Sequence, residues 1–407
     1  MTTKPRIFLA VAFLCFALAP VAALGWGSKG HAMCARIASR RMPQYAPAFF
    51  RNAVERLAYL SSDPDRWRSS SSQALSHVNA PDHYFDLEVW GTDQFPNSRY
   101  DLIVLAIKKG IIHYDPLAAA NRPGTSGGDR FVSDLGTAPY AVAETAAKLV
   151  STFRDWRDCS EDTLVKGQIE ESVIYLAGVL AHYVTDLGNP LHCTVHFNGW
   201  AQEYPNPKNY PVGRAASEIH ARFEEDYVDR SIDEKDIEPL ILPARSVSSW
   251  ISDMEKFIRH NNAFVEQLYT LDKAGAFGSG NEPQGAKPFV AGRLAEAASM
   301  LRDVWTAAWE LSGDEWLNGR AVLYPRERKT VLQLLRERYR IQTIEHDGKI
   351  EVVSIGNRKN GIDGRVWQMY VNNRRSDSGR PVDTYIPAAG ERIDFRFEKP
   401  AADQKNR

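Results

Sequence analysis

TLVKGQIEESVIYLAGVLAHYVTDLGNPLH, running from Thr163 to His192, carries the first decision about this chain. Ile169, Val173, Leu176, Leu180, Val184 and Leu187 recur every three or four positions, the period of one helix face, so a helix is predicted from Thr163 to Leu187. Four residues make about one turn, which places His182 and Asp186 one above the other on the same face. Asn189-Pro190 then stops the helix, and His192 re-enters from another direction.

The same period recurs outward from this helix, at Tyr140 to Phe153, Ala216 to Val228, Val247 to Leu271 and Val290 to Leu311. Loops rich in Pro, Gly, Asn and Ser separate them: Asn121 to Gly128, Asn198 to Gly213 and Ala274 to Lys287. The pattern changes after Asp314. A basic helical connector, Glu327 to Arg338, leads into Lys349 to Ile355, Val366 to Val371 and Ile393 to Phe397, which alternate or are rich in branched and aromatic residues. Turns are expected at Gly348, Asn360-Gly361, Asn372-Asn373 and Gly390. The predicted fold class is a mainly α-helical domain followed by a small β-rich C-terminal domain. Its boundaries divide a leader at 1–25 from a helical domain at 26–313, a connector at 314–338 and a β-rich domain at 339–407.

A chain of 407 residues that is 43% hydrophobic buries a substantial core. Its formal charge of −1 gives it no global attraction for nucleic acid or an anionic membrane, so any phosphate-bearing substrate must be drawn locally. The first 25 residues have a basic start (Lys4, Arg6), an apolar run from Ile7 to Leu18 and the small residues Ala23 and Gly25 at the end, the layout of an export signal. The expected location is secreted or periplasmic. Removing the leader makes the charge two more negative and leaves Cys34, Cys159 and Cys193, an odd number that permits at most one internal disulfide.

Chemistry concentrates in the histidines. His182 with Asp186, and His220 with Glu224, are two helical pairs of imidazole and carboxylate four apart, a spacing from which both groups reach one metal ion. His192 follows the proline turn as a fifth donor. A single such pair is most often a surface ion pair or a capped core histidine; two pairs and a placed third histidine point toward a metal site. His77, His113, His260 and His346 are read as ordinary surface or core residues, and His196 as one near enough to His192 to line the cleft but not expected to contact substrate. The tryptophans are read as core. Cys193 lacks a second cysteine at metal spacing.

An ordered series of motifs resembles the superfamily of three-zinc single-strand nucleases (the S-one/P-one group) and bacterial zinc phospholipases C. The series is Trp26-Gly27-x-x-Gly30-His31-x-x-x-Ala35-x-Ile37-Ala38, then Pro64-Asp65-x-x-Arg68, His83-Tyr84, His182-x-x-x-Asp186-x-x-x-Pro190-Leu191-His192 and His220-x-x-x-Glu224. The resemblance implies three zinc ions. One would be held by Asp65, His83, His182 and Asp186; a second by the amino group and carbonyl of a mature Trp26, His31 and the shared Asp186; a third by His192, His220 and Glu224. An α-amine with a pKa near 8 can give up its proton to zinc at neutral pH. Asp65, Arg68 and Asp186 are implied as catalytic, Arg68 as a phosphate contact. Asp63 rivals Asp65, but only Asp65 has an arginine three positions on with a tryptophan before it.

The activity implied is a zinc-dependent phosphodiester hydrolase, in first place an endonuclease on single-stranded DNA or RNA. The alternative is a phospholipase C acting on phospholipid head groups, and a third reading is a secreted zinc-binding protein without turnover. The step from Trp26 to His31 and Ala291-Gly-Arg-Leu-Ala295 resemble the nuclease branch. His220-Ala-Arg-Phe-Glu224 and a β domain after the helices resemble the phospholipase branch. Val366-Trp-Gln-Met-Tyr-Val-Asn372 and Gly390-Glu-Arg-Ile-Asp-Phe395 are similar to a small β-grasp-type domain found at the end of cobalamin carriers, to which no ligand is assigned.

Overall fold

The computed structural model describes residues 26–400 except 45, 69–71, 113–134, 160–162, 214–216, 279–284, 313–319, 324, 326–327, 340, 347, 356–357, 377–379 and 389. The leader, the loop Asn121 to Gly128, His113 and the residues at the expected 313/314 boundary lie outside the described set.

Helices build the first three quarters. The site rests on α1 (Gly27–Arg40), α2 (Val54–Leu60), α3 (Asp63–Arg68), α4 (Ala138–Asp158), α5 (Thr163–Asp186), α6 (a continuous helical run over 219–231), α7 (Trp250–Asn262), α8 (Val265–Lys273) and α9 (Ala286–Ser312). α5 ends at Asp186, one residue short of the predicted limit. It packs on α4, α9, α2 and α1. Phe50, Phe153, Leu180, Trp305 and Trp309 fill the core among these helices, and a second core joins Trp26, Phe223, Tyr227, Leu294 and Phe289. Fully burying each such side chain contributes about 1.5–3 kcal/mol.

One close approach matters for the site. A Cβ at Gly178 would lie 2.3 Å from Leu60 Cβ, so only glycine lets α5 meet the end of α2. Gly178 stands four residues before His182, and the next residue after Leu60 is Ser61, whose carbonyl the His182 ring uses.

Two predicted helices need correction. Val247 to Leu271 is not one helix: Ser249 caps α7 at Trp250, and the run breaks at Ala263-Phe264 before α8. The break leaves Phe264 under the Arg293 guanidinium, 3.7 Å from its ring centre, a packing demand that periodicity cannot register. Ala216 to Val228 is not one regular helix: it is interrupted at Glu218, which takes a left-handed conformation (φ 48°), and Arg222–Tyr227 is π-helical. π-bulges widen a helix by one residue and collect at functional positions.

After α9 come β1 (Arg320–Leu323), α10 (Val331–Arg338), β2 (Ile341–His346), β3 (Lys349–Ile355), β4 (Arg358–Lys359), β5 (Val366–Val371), β6 (Arg374–Arg375) and β7 (Ile393–Glu398). They form a four-stranded sheet in the order β1-β7-β5-β6 and a three-stranded sheet β2-β3-β4, every pairing antiparallel. The three predicted strands are present, and Gly348, Gly361, Asn372, Asn373 and Gly390 take the positive φ their turns require. The connector helix begins at Val331, where Thr330 and Gln333 make a reciprocal capping box. β1 and β2 were not singled out from sequence: β1 is four residues long, and β2 is largely exposed. Val331, Leu335, Val371, Ile393 and Phe395 pack a separate core. The chain is thus mainly α-helical with a β-rich C-terminal region. No helix among the described residues is long and apolar enough to cross a membrane.

Candidate metal centre

α5 is the spine of the site. His182 Nε2 and Asp186 Oδ2 stand 3.2 Å apart on its last turn. α1 brings His31 Nε2 to 3.4 Å from Asp186 Oδ1, and the His31 and His182 rings stack at 4.1 Å. α3 brings Asp65, whose Oδ1 lies 3.7 Å from Nε2 of both His83 and His182. A 3-10 turn (Ala80–His83) delivers His83. On the other side, Asn189 caps the 3-10 turn Pro190–Cys193, which carries His192, and α6 carries His220 and Glu224. Glu224 Oε2 is 2.9 Å from His220 Nε2 and 3.3 Å from His192 Nε2. Three groups of donor atoms result: His31, His182 and Asp186; Asp65, His83 and His182; His192, His220 and Glu224. All are buried, none more than 6% exposed.

The hydrogen bonds behind these rings fix what faces forward. Nδ1 of His83 lies 2.8 Å from Asn79 O, that of His182 2.8 Å from Ser61 O, that of His192 2.6 Å from His83 O, and that of His220 3.0 Å from Phe197 O. A carbonyl only accepts, so each Nδ1 carries the proton and donates. His31 Nδ1 meets the Thr185 hydroxyl at 2.6 Å. In the neutral form of the four carbonyl-bound rings each Nε2 therefore turns a lone pair toward the carboxylates. Nε2 of His192 and His220 even face one another at 3.2 Å.

Lone pairs and carboxylate oxygens converging in a buried space repel unless a cation joins them. His31 Nε2, His83 Nε2, His182 Nε2, both oxygens of Asp65 and Asp186, and Glu224 Oε1 are buried without a hydrogen-bond partner. Protons cannot serve all of them. Burial, then the charge of His182, holds His31 below its ordinary value; burial, then Arg68, holds His83 well below and takes His220 to about 4. Burial opposes a charge on His182 too, but Asp186 and Asp65 overcome it and raise the ring to about 9. Burial pushes Glu224 up to about 8. Asp186, against the same burial, is held well below the carboxylate range by His182 and His192. A buried set of nitrogen and oxygen donors with too few protons to go round fits divalent metal, with imidazole and carboxylate suiting zinc.

Of the nine expected ligands, eight have side chains in these three groups. The ninth, Trp26, is fully buried at the start of α1, with its indole N–H donating to Thr185 O at 2.8 Å. Asp65, not its rival, faces the imidazoles: Asp63 pairs with Arg66 at the surface. Arg68 Nη2 is 3.5 Å from Asp65 Oδ1, and its side chain is 17% exposed. His196, not expected to contact substrate, stacks its ring on Trp200 at 4.0 Å, and its Nδ1 accepts from Ala201 N. His260 pairs with Glu296, and His77 and His346 are exposed. No disulfide forms among the described residues; Cys34, Cys159 and Cys193 are free thiols, and Cys193 Sγ points to Leu187 O rather than to the site. Arg293, in the segment resembling nucleases, bonds Asn261 and Glu296.

Sequence reading missed two supporting residues. Asn189 was taken only as a helix stop, yet its Nδ2 donates to Glu224 Oε2 at 2.8 Å while its Oδ1 accepts from Leu191 N. Thr185 was an unremarked helix residue. Nothing in sequence spacing signals either, because their partners lie 35 and 154 positions away.

No family model matches this chain, and no curated protein matches it. Among solved structures it is similar to an alpha-toxin of Clostridium perfringens from an avian strain, at 12% identity and a TM-score of 0.36 over 92% of this chain and 82% of that one. It is also similar to an alpha-toxin of Clostridium absonum, at 14% identity and a TM-score of 0.33 over 95% of this chain and 84% of that one. Likeness at this distance carries neither an activity nor a residue across.

Proposed function

We propose that the chain is an exported zinc-dependent hydrolase of phosphate diesters, its helical domain at about 26–313 holding the site. One observation carries this reading: five imidazoles with Nδ1 committed to hydrogen bonds turn five Nε2 lone pairs toward three buried carboxylates. The residues that would hold three ions are Asp65, His83, His182 and Asp186; Trp26, His31 and Asp186; and His192, His220 and Glu224. Zinc held there supplies positive charge to a phosphoryl group and makes water a better nucleophile at neutral pH.

The chain's own residues do the rest. Asp186 is placed between two groups, one oxygen toward His31 and the other toward His182. Backbone carbonyls hold four rings in the tautomer whose Nε2 is available to a cation. Arg68, partly exposed beside Asp65, offers a guanidinium to phosphate oxygens. Asn189 orients Glu224. A storage protein needs neither the shared carboxylate nor the arginine beside Asp65.

Between substrates we place the phospholipid head group ahead of single-stranded nucleic acid, reversing the order read from sequence. A β-rich region does follow the helices, and Glu224 sits on α6 in the His220-Ala-Arg-Phe-Glu224 setting that resembles the phospholipase branch. A net charge of −1 gives a polyanion no broad attraction. The deciding experiment uses the zinc-loaded chain beginning at Trp26, with phosphocholine release from phosphatidylcholine vesicles measured against degradation of single-stranded DNA and RNA. Vesicle hydrolysis abolished by chelator, and reduced at least about 100-fold in Asp186→Asn, is the expected result. Activity on nucleic acid alone restores the nuclease reading, and zinc-loaded protein inert on both is a zinc-binding protein only.

A further inference from the structure

We infer that Thr185 is a positioning residue that sets the tautomer of His31 and ties the amino-terminal ligands to α5; this rests on the metal-centre reading above. Thr185 is fully buried, one residue before Asp186. Its Oγ1 lies 2.8 Å from Ala181 O and 3.1 Å from His182 O. A hydroxyl has one proton, and both of these neighbours only accept, so the proton goes to them. What remains for His31 is a lone pair. Nδ1, at 2.6 Å, must then be the donor, which leaves Nε2 unprotonated and directed at Asp186 Oδ1.

The main chain of the same residue holds Trp26, whose indole N–H donates to Thr185 O at 2.8 Å. Trp26 stands at the cap of α1, and His31 lies a little more than one turn further on. Two bonds to one residue therefore clamp the first turns of α1 against the last turn of α5, beside the carboxylate that serves both groups. His83, His182, His192 and His220 give their Nδ1 protons to backbone carbonyls, which no substitution removes. His31 depends on a side chain. It is the one ring of the five whose tautomer a point mutation can release.

Thr185→Val keeps the shape and removes the hydroxyl; Thr185→Ser keeps the hydroxyl. Zinc content and affinity are read by dialysis of the chain beginning at Trp26 against buffered free zinc, with metal analysis. Thr185→Val is expected to weaken one ion about 10–100-fold and leave the others in place, the size of effect typical for loss of a ligand's supporting hydrogen bond. Thr185→Ser is expected to bind like wild type, and Thr185→Val in a His31→Ala background to add no further loss. Long-range 1H–15N spectra of metal-free wild type should show His31 as the Nδ1–H form. That measurement decides even where Thr185→Val fails to fold. Undiminished zinc affinity in a folded Thr185→Val, or an Nε2–H His31 in wild type, overturns the assignment. Wild type that binds no zinc through His31 sinks the enzyme reading instead, and the tautomer remains a separate result.

Discussion

Replacing Glu224 by Gln is expected to stabilise the metal-free protein and destabilise the zinc-loaded one. Glu224 Oε2 faces the Nε2 atoms of His220 and His192 at 2.9 and 3.3 Å and accepts from Asn189, while Oε1 is buried without a hydrogen-bond partner. Burial raises its pKa from 4.5 to about 8. A folded pKa above the unfolded one means that this group's stabilising contribution is complete below pH 4.5 and is lost as pH rises through about 8. At about 1.4 kcal/mol per tenfold, the loss reaches at most about 5 kcal/mol at pH 8. Glutamine has nothing to ionise: with its carbonyl in the place of Oε2 it still accepts from Asn189, and its amide takes the place of Oε1. With chelator, Glu224→Gln should therefore match wild type near pH 4 and exceed it by about 1–5 kcal/mol at pH 8. With zinc the order inverts, because an ion at a thousandfold its Kd contributes about 4 kcal/mol and the variant forfeits most of that at the third group. Urea unfolding at pH 4, 6 and 8, with chelator and with zinc, measures both arms. A variant less stable than wild type by the same margin under all conditions refutes the convergent-acceptor argument.

Other expectations follow from the same geometry. Metal-free wild type should also lose stability between pH 6.5 and 9, since His182 is raised to about 9 and its contribution, present below 6.5, disappears over that window; thermal melts in chelator that rise toward pH 9 contradict this. Asn189→Ala strips partners from the buried Leu191 N–H and Glu224 Oε2, and should cost about 2–4 kcal/mol in zinc-loaded unfolding; a change within experimental error counts against it. Gly178→Ala drives a methyl into Leu60, 2.3 Å away, and should cost about 1–3 kcal/mol in urea unfolding while weakening zinc held through His182; an unperturbed variant shows that α2 does not need this approach. Residues added before a mature Trp26 should lower zinc content by one ion, because Trp26 is fully buried; full zinc content with such an extension removes the amino group from the ligand set.

Much of the fold was legible because it is written locally. The 3.6-residue period of α5 and α9, the alternation in β3 and β5, and the Gly and Asn turns of the β region depend on neighbours a few positions apart. His182 with Asp186 and His220 with Glu224 share that property, so both pairs were visible as pairs. The break between α7 and α8 and the π-helical turn of α6 were not, since each answers to a contact from elsewhere: Arg293 over Phe264, and the reach of Glu224 toward His192 and Asn189.

Local pattern alone is enough to read the helical part followed by the β-rich part, the residue types able to bind zinc, and the pairing of donors on helix faces. Folding shows what spacing does not: Asp65, already preferred over Asp63, faces the imidazoles, the three thiols stay unpaired, and Thr185 and Asn189 support the donors. The reason is physical. Whether a side chain is a ligand depends on which of its atoms are already engaged, and the groups that engage them come from chain segments brought together by folding.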